Sequence, residues 1–320
     1  MSGYEKWTYF DIFKCNNCDS HFIDENQIDY SIYDKIYSNE DKLPWYSRYS
    51  RYFKEIKKSK NKLDYLCKEE SIPLIIKTYL KSLKKDKGNI KILEVWCWLW
   101  YTTYALNEEW YKCIGMDISE NSVKKAKKNF GDYYFVWDAN KLWNYWEYRW
   151  KYDIVYSTEV IEHISNISQF IDNMLKLINP WWVLILTTPN KDYMPKWCIW
   201  FSDVPPVHTC LIWSKFFREY CQKNILKLKI FNYNTNRLDK NLLLDMLFEK
   251  KWLKNSEKYL RQDRIDFNNL QPVHKINNSI KSRIFKFLLK NQICCFVSNL
   301  FIRLFLFKLE SRTLWVIMSK

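Results

Sequence analysis

Residues 91–100 read Lys-Ile-Leu-Glu-Val-Trp-Cys-Trp-Leu-Trp, and the fold turns on how this stretch is understood. Ile92-Leu93-Glu94-Val95 has the apolar character of a strand buried on both faces. Trp96, Trp98 and Trp100 then alternate along the strand exit, where three indoles have no evident packing role. With glycine in their place the stretch becomes E-V-G-C-G-L-G, a loop whose backbone turns sharply and admits a close approach. Composition points the same way. The chain has 17 Trp and 4 Gly in 320 residues; together they make up about the 7% that glycine alone ordinarily supplies. Asn179-Pro180-Trp181-Trp182 reads in the same manner as N-P-G-G, a turn before an apolar strand. We therefore read these tryptophans as UGA codons that the source organism assigns to glycine, as some bacterial lineages do. Two expectations follow. Several tryptophans should sit at positive φ, Trp181 or Trp182 foremost, and the indoles at 96, 98 and 100 should either fill the crevice or splay out as an exposed apolar patch.

From Ile90 onward strand and helix alternate regularly, which argues a parallel α/β sheet. Strands are expected near 91–95, 112–117, 133–136, 152–157, 183–188 and 225–233, with an antiparallel closing strand near 313–319. Helices are expected from Tyr101, from an N-cap at Ser119 to Phe130, over Ile164–Ile178 and over Trp213–Gln222. Upstream, Tyr46–Lys58 and Leu63–Leu83 read as amphipathic helices. The organisation is thus a lead-in over 1–60, a core over 61–233, a basic helical insertion or cap over 234–310, and a closing strand over 311–320.

The run Glu94 to Trp100, read with glycines, resembles the first motif of the class I S-adenosylmethionine-dependent methyltransferases. Ser157-Thr-Glu159-Val-Ile-Glu162-His163-Ile resembles the S-x-E-V-L-E-H-V segment of the ubiquinone-pathway O-methyltransferases and their sugar-modifying relatives. The resemblance implies a Rossmann-like class I methyltransferase fold: a mainly parallel seven-stranded sheet, helices on both faces and an antiparallel edge strand. It also implies S-adenosyl-L-methionine as cofactor. Glu94 and the loop Trp96, Cys97, Trp98 and Trp100 would hold its methionine end. Asp117, with Ile118, falls about 20 residues past the loop, where a carboxylate accepts hydrogen bonds from ribose hydroxyls. Asp138-Ala139 matches the position that contacts adenine, and Ser157 closes the crevice at the fourth strand. Glu159, Glu162 and His163 lie at that strand's carboxyl end, where they could position a divalent metal such as Mg²⁺. Alternatively, His163 could accept a hydroxyl proton, with Glu159 and His208 as catalytic neighbours. The bland alternative is that Glu162 and His163 brace the following helix.

Cys15-x-x-Cys18, with His21 close behind, is half of a zinc knuckle, and tetrahedral zinc needs four ligands. The segment F-K-C-N-N-C-D-S-H-F, followed by Y-D-K-I-Y over residues 33–37, resembles the lead-in of many sugar- and small-molecule methyltransferases, in which an earlier cysteine pair precedes this one. That pair is missing here. Ten scattered cysteines and the lack of a secretory signal at residue 1 give the expectation of a cytoplasmic chain. The net charge of +15 would suit a polyanion, but an excess of lysine over arginine alongside much Asn, Ile and Tyr is the mark of an AT-rich gene. Within the insertion, residues 280–309 are basic and aromatic, which fits a cap over the acceptor pocket or a helix lying on a membrane surface. The leading expectation is an O-methyltransferase for a small-molecule or sugar hydroxyl. An RNA 2′-O-methyltransferase is the second, and a cofactor-dead interaction protein is the third, should the tryptophans be genuine.

Overall fold

The structure is a computed structural model that describes residues 4–5, 8–29, 31–39, 47–70, 72–96, 100–138, 141, 145, 148–193, 204–231 and 313–320. Residues 234–310, Cys97, Trp98 and Ala139 lie outside the described residues. The expectations placed on them are not addressed by it.

Strand β3 (Lys91–Val95) sits inside a seven-stranded sheet, and every residue after its first is buried. It pairs in parallel with β4 (Lys112–Asp117) and β6 (Tyr152–Thr158). Outside these lie β5 (Tyr134–Val136) on one side and β7 (Ile178–Pro189) on the other. The antiparallel strand β10 (Thr313–Ser319) slots between β7 and the outermost strand β9 (Lys227–Phe231), giving the order β5-β4-β3-β6-β7-β10-β9. Alternate residues of each strand feed two cores, as the period of two requires. Ile92, Ile154, Ile185 and Trp315 face α5 (Tyr101–Glu108), α6 (Glu120–Phe130) and the N-terminal helices. Leu93, Val155, Leu184 and Val316 face α7 (Ile167–Leu175) and α8 (Ser214–Lys223). Each such side chain taken out of water contributes about 1.5–3 kcal/mol, and this two-sided burial holds the sheet rigid.

Local signals explain most boundaries. Ser119 caps α6 by accepting from the Ser122 N–H, and Gly131, at φ 96°, ends it. Two expectations need correction. The helix read over Leu63–Leu83 is two helices, α3 (Lys62–Glu69) and α4 (Pro73–Ser82): Glu70 leaves helical geometry at φ −124° and ψ 150°, and Pro73, at the first position of α4, supplies no N–H to carry a continuous helix through. Asn179 to Trp182 is no separate turn. It is a bulge inside β7: between the pairs Tyr152–Ile178 and Ile154–Val183, β7 carries three more residues than its partner.

One element has no counterpart in the sequence reading. Strands β1 (Ile12–Lys14) and β2 (His21–Ile23) form a hairpin around Cys15–Asp19, and β2 pairs with β8 (Cys210–Leu211) in a second, three-stranded sheet. Helices α1 (Ser31–Ser38) and α2 (Ser47–Lys58) follow it.

Candidate active site

The carboxyl ends of β3, β4 and β6 converge, which is where open α/β sheets bind ligands. At the first of these, Glu94 is buried, and one of its carboxylate oxygens accepts from the Thr103 N–H at 3.0 Å and from the Thr103 hydroxyl. Burial pushes its carboxyl up, against those bonds. Glu94 thereby ties the strand to the first turn of α5. Trp96 and Trp100 stand at φ 58° and 57°, the left-handed region that costs a bulky residue strain. Both indoles are half-buried. That of Trp96 packs against Phe170, with centroids 6.4 Å apart, and that of Trp100 against the core under α5. Neither indole N–H has a hydrogen-bond partner, and a buried donor left so costs about 1–3 kcal/mol.

Trp110, Trp150 and Trp181 are also at positive φ, at 70°, 51° and 78°. With Trp96 and Trp100 they make five of the eight such non-glycine residues among those described. Trp181 is 88% exposed and Trp110 81%. Trp315 differs in every respect: it is fully buried in β10 and stacks on Phe231 at 5.2 Å.

Asp117 ends β4, buried, with one oxygen accepting from the Ser119 N–H at 2.9 Å. Burial raises its pKa to about 6. Ile118 next to it is 57% exposed. The Trp137 N–H bonds the Asp117 carbonyl at 2.9 Å and so brings Asp138 beside it. Asp138 is half-buried, and its carboxylate lies 3.6 Å from Lys141. Ser157 in β6 is buried with an unpartnered hydroxyl.

Glu159 follows β6 at φ 54°, its N–H shared between the Thr187 carbonyl and hydroxyl. A single 3-10 turn, Ile161–His163, then presents Glu162 and His163. These two come together with His208, their ligand atoms all within 4.8 Å of one another. Glu159 is not in that group, so His208 takes the place that the sequence reading gave to Glu159. Glu162 is fully buried and accepts from the Thr188 hydroxyl at 3.0 Å; its other oxygen is 3.9 Å from His208 Nε2. Burial lowers the His208 pKa to about 3, so its imidazole is neutral, the form a metal requires. The Thr209 N–H and hydroxyl both bond the Glu162 carbonyl, at 2.8 and 3.0 Å, and this locks the His208 segment to the turn. Tyr33, from α1, reaches His163 as well; it opens the Y-D-K-I-Y segment of the lead-in, to which the sequence attached no site role.

Cys15 and Cys18 stand in the β1–β2 turn, the first half-buried and the second buried with its thiol 3.3 Å from the Ser20 hydroxyl. The local backbone N–H groups lower the Cys15 thiol, and burial raises that of Cys18. Among the described residues no third ligand gathers with them.

The family model described as a methyltransferase domain matches residues 42–227. This chain belongs to the methyltransferase domain family. Its relatives include the mitochondrial ubiquinone biosynthesis O-methyltransferase of Dictyostelium discoideum, 23% identical over 42% of this chain and 45% of that protein. Another is the ubiquinone biosynthesis O-methyltransferase of Pelagibacter ubique, 26% identical over 52% of this chain and 74% of that one. A third, from Rickettsia bellii, is 26% identical over 35% and 47%. The chain spans about half the length of the first and third of these. Among solved structures, a SAM-dependent methyltransferase from Archaeoglobus fulgidus aligns with 13% identity and a TM-score of 0.44 over 77% of this chain and 92% of that one.

Proposed function

We propose that this protein is an S-adenosylmethionine-dependent O-methyltransferase acting on a hydroxyl of a small molecule or sugar. The observation that carries the reading is the convergence of Glu162, His163 and His208 at the carboxyl end of β6, beside the crevice edged by Asp117 and Ser157. The cofactor, when bound, supplies a sulfonium-activated methyl group. What the chain must add is orientation of a hydroxyl, exclusion of water and a route for its proton. Asp117 accepts from the ribose hydroxyls, and Ser157 has a buried hydroxyl to offer. His163 takes the acceptor's proton. A divalent ion fits the same group, where it would lower the pKa of a bound hydroxyl. Two imidazoles and one carboxylate suit Mn²⁺ or Zn²⁺ better than Mg²⁺, which prefers oxygen ligands.

The nucleoside end of the crevice fits the cofactor; the methionine end does not. There, Trp96 and Trp100 carry half-buried indoles with unpaired N–H groups on a backbone at positive φ. We read this misfit as support for glycine at these positions in the functional protein. The RNA reading finds less support. A set of lysines gathers around a cleft formed by α3, α4 and the turn after α5, at the amino-terminal end of the sheet, away from the candidate active site. Several are already paired, Lys62 with Glu108 and Lys87 with Glu109 among them. No helix among the described residues is long and apolar enough to cross a membrane.

Isothermal titration of S-adenosylmethionine against the chain carrying glycine at 96, 98 and 100 tests the cofactor. Methyl transfer from labelled cofactor to a panel of ring and sugar hydroxyls tests the chemistry, with His163→Ala expected to slow it by about 100-fold or more. A glycine-bearing chain that binds no cofactor overturns the proposal.

A further inference from the structure

Helix α1 is anchored by Ile32 and Ile36, both buried and one turn apart, and this anchoring aims Tyr33 at the candidate active site. The Tyr33 hydroxyl donates to the Val207 carbonyl at 2.7 Å and lies 3.1 Å from His163 Nδ1. His163 Nδ1 is itself 2.5 Å from the same carbonyl oxygen. The rings of Tyr33 and His163 meet edge-on, 5.6 Å apart at 81°, and the His208 ring lies 4.9 Å from that of His163.

These three distances allow one proton arrangement. A carbonyl oxygen only accepts, so a nitrogen at 2.5 Å from it carries the hydrogen. Tyr33 has a single hydroxyl hydrogen. With that hydrogen on Val207, its oxygen turns a lone pair toward Nδ1–H and acts as a second acceptor for it. The opposite tautomer could accept from the Tyr33 hydroxyl only by setting the Nδ1 lone pair against the Val207 carbonyl oxygen at 2.5 Å and leaving that carbonyl without either donor. The carbonyl also belongs to the peptide that leads into His208, so the contact ties the backbone before His208 to the His163 ring.

We infer that Tyr33 is a positioning residue. Together with the Val207 carbonyl it holds His163 as the Nδ1–H tautomer and makes Nε2 the nitrogen that receives the acceptor's proton or a metal ion. This rests on the role proposed for His163. It gives the N-terminal segment, which lies outside the sheet, a part in the chemistry. Partners that fix the tautomer of a ligating histidine affect metal affinity by about 10–100-fold when removed.

The test is long-range ¹H–¹⁵N NMR of the imidazoles in the full chain, with Mn²⁺ titration followed by electron paramagnetic resonance. In the parent chain His163 should show the Nδ1–H tautomer alone. In Tyr33→Phe, which keeps the ring and its packing but releases the Val207 carbonyl from the hydroxyl that holds it against Nδ1, a mixture of tautomers should appear and Mn²⁺ affinity should fall by about tenfold or more. An Nε2–H tautomer in the parent chain overturns the inference, and needs no variant to be seen. A single unchanged tautomer in a folded Tyr33→Phe overturns it too, since a merely structural residue would behave in that way. Should the parent chain bind no Mn²⁺, the metal reading fails by itself, and the tautomer still decides the role of Tyr33.

Discussion

Positive φ sorts the tryptophans into two sets. Trp96, Trp100, Trp110, Trp150 and Trp181 adopt angles natural to glycine, whereas Trp315 is an ordinary core residue. In the gene, codons 96, 100, 110, 150 and 181 should read UGA and codon 315 UGG; UGG at the first five would sink the glycine reading. Trp181→Gly should stabilise the fold by about 1 kcal/mol in urea titration, because left-handed strain is relieved and no buried contact is lost. Trp315→Gly should destabilise it by about 3–5 kcal/mol, the scale of emptying a packed aromatic site. Asp117 makes a second prediction. Its carboxyl is raised by burial to about 6 from an ordinary 3.8, so its contribution to stability is present below the ordinary value and lost as pH rises through about 6. On the proposed reading, ribose hydroxyls would donate to the ionised form and offset that loss. Adenosine affinity, measured by calorimetry, should therefore climb as pH rises from about 5 to about 7 and stay flat in Asp117→Asn.

Among the elements, legibility followed locality. Strands β3, β4 and β10 and helices α5 and α6 carry their own signals: apolar runs, the Ser119 cap and the glycine at 131. The β1–β2 hairpin does not. Its strands are three residues long, and what fixes them is pairing with β8, nearly two hundred residues away in the chain. No periodicity within a window can report such a contact. His208 was expected beside His163, but the bonds that bring it there, those of Thr209 to the Glu162 carbonyl, leave no mark in any local window. Tyr33 stood in a recognised segment, Y-D-K-I-Y, but its contact with His163 was not legible because it runs through one backbone carbonyl. Glu94 illustrates the converse: its place at the end of β3 was legible, but its partner, Thr103, was not. That pairing is testable. Thr103→Val leaves a buried carboxylate oxygen short of its hydroxyl donor, and the unfolding free energy should fall by about 1–3 kcal/mol in urea titration. An unchanged midpoint would mean that the Thr103 N–H alone suffices.

At the scale of the whole molecule the proposed crevice has two ends, a nucleoside end and a histidine end, held by different parts of the chain. The nucleoside end, Asp117 and Asp138, belongs to the parallel sheet and its short loops. The histidine end depends on the segment 204–209, which is held from three sides. The Tyr4 N–H bonds the Pro205 carbonyl at 2.7 Å, the Ile23 N–H bonds that of Thr209 at 3.0 Å, and the Thr209 N–H bonds that of Glu162 at 2.8 Å. Two of the three come from the first 23 residues. The lead-in is therefore a clamp on the catalytic end of the site, and disturbing it should separate the two ends functionally. Ile23→Pro removes the N–H that meets Thr209 and cannot be accommodated in a paired strand. Mn²⁺ affinity at Glu162, His163 and His208 should fall by about tenfold or more, as for loss of a supporting contact to a metal ligand. Adenosine binding at Asp117 should change little, because the bonds described around that residue run to Ser119 and Trp137 rather than to the hairpin. Equal losses at both ends would mean that the hairpin supports the fold as a whole. A loss confined to the metal would mean that the N-terminal segment works as part of the active site, with its sequence read through the backbone carbonyls of residues 205–209.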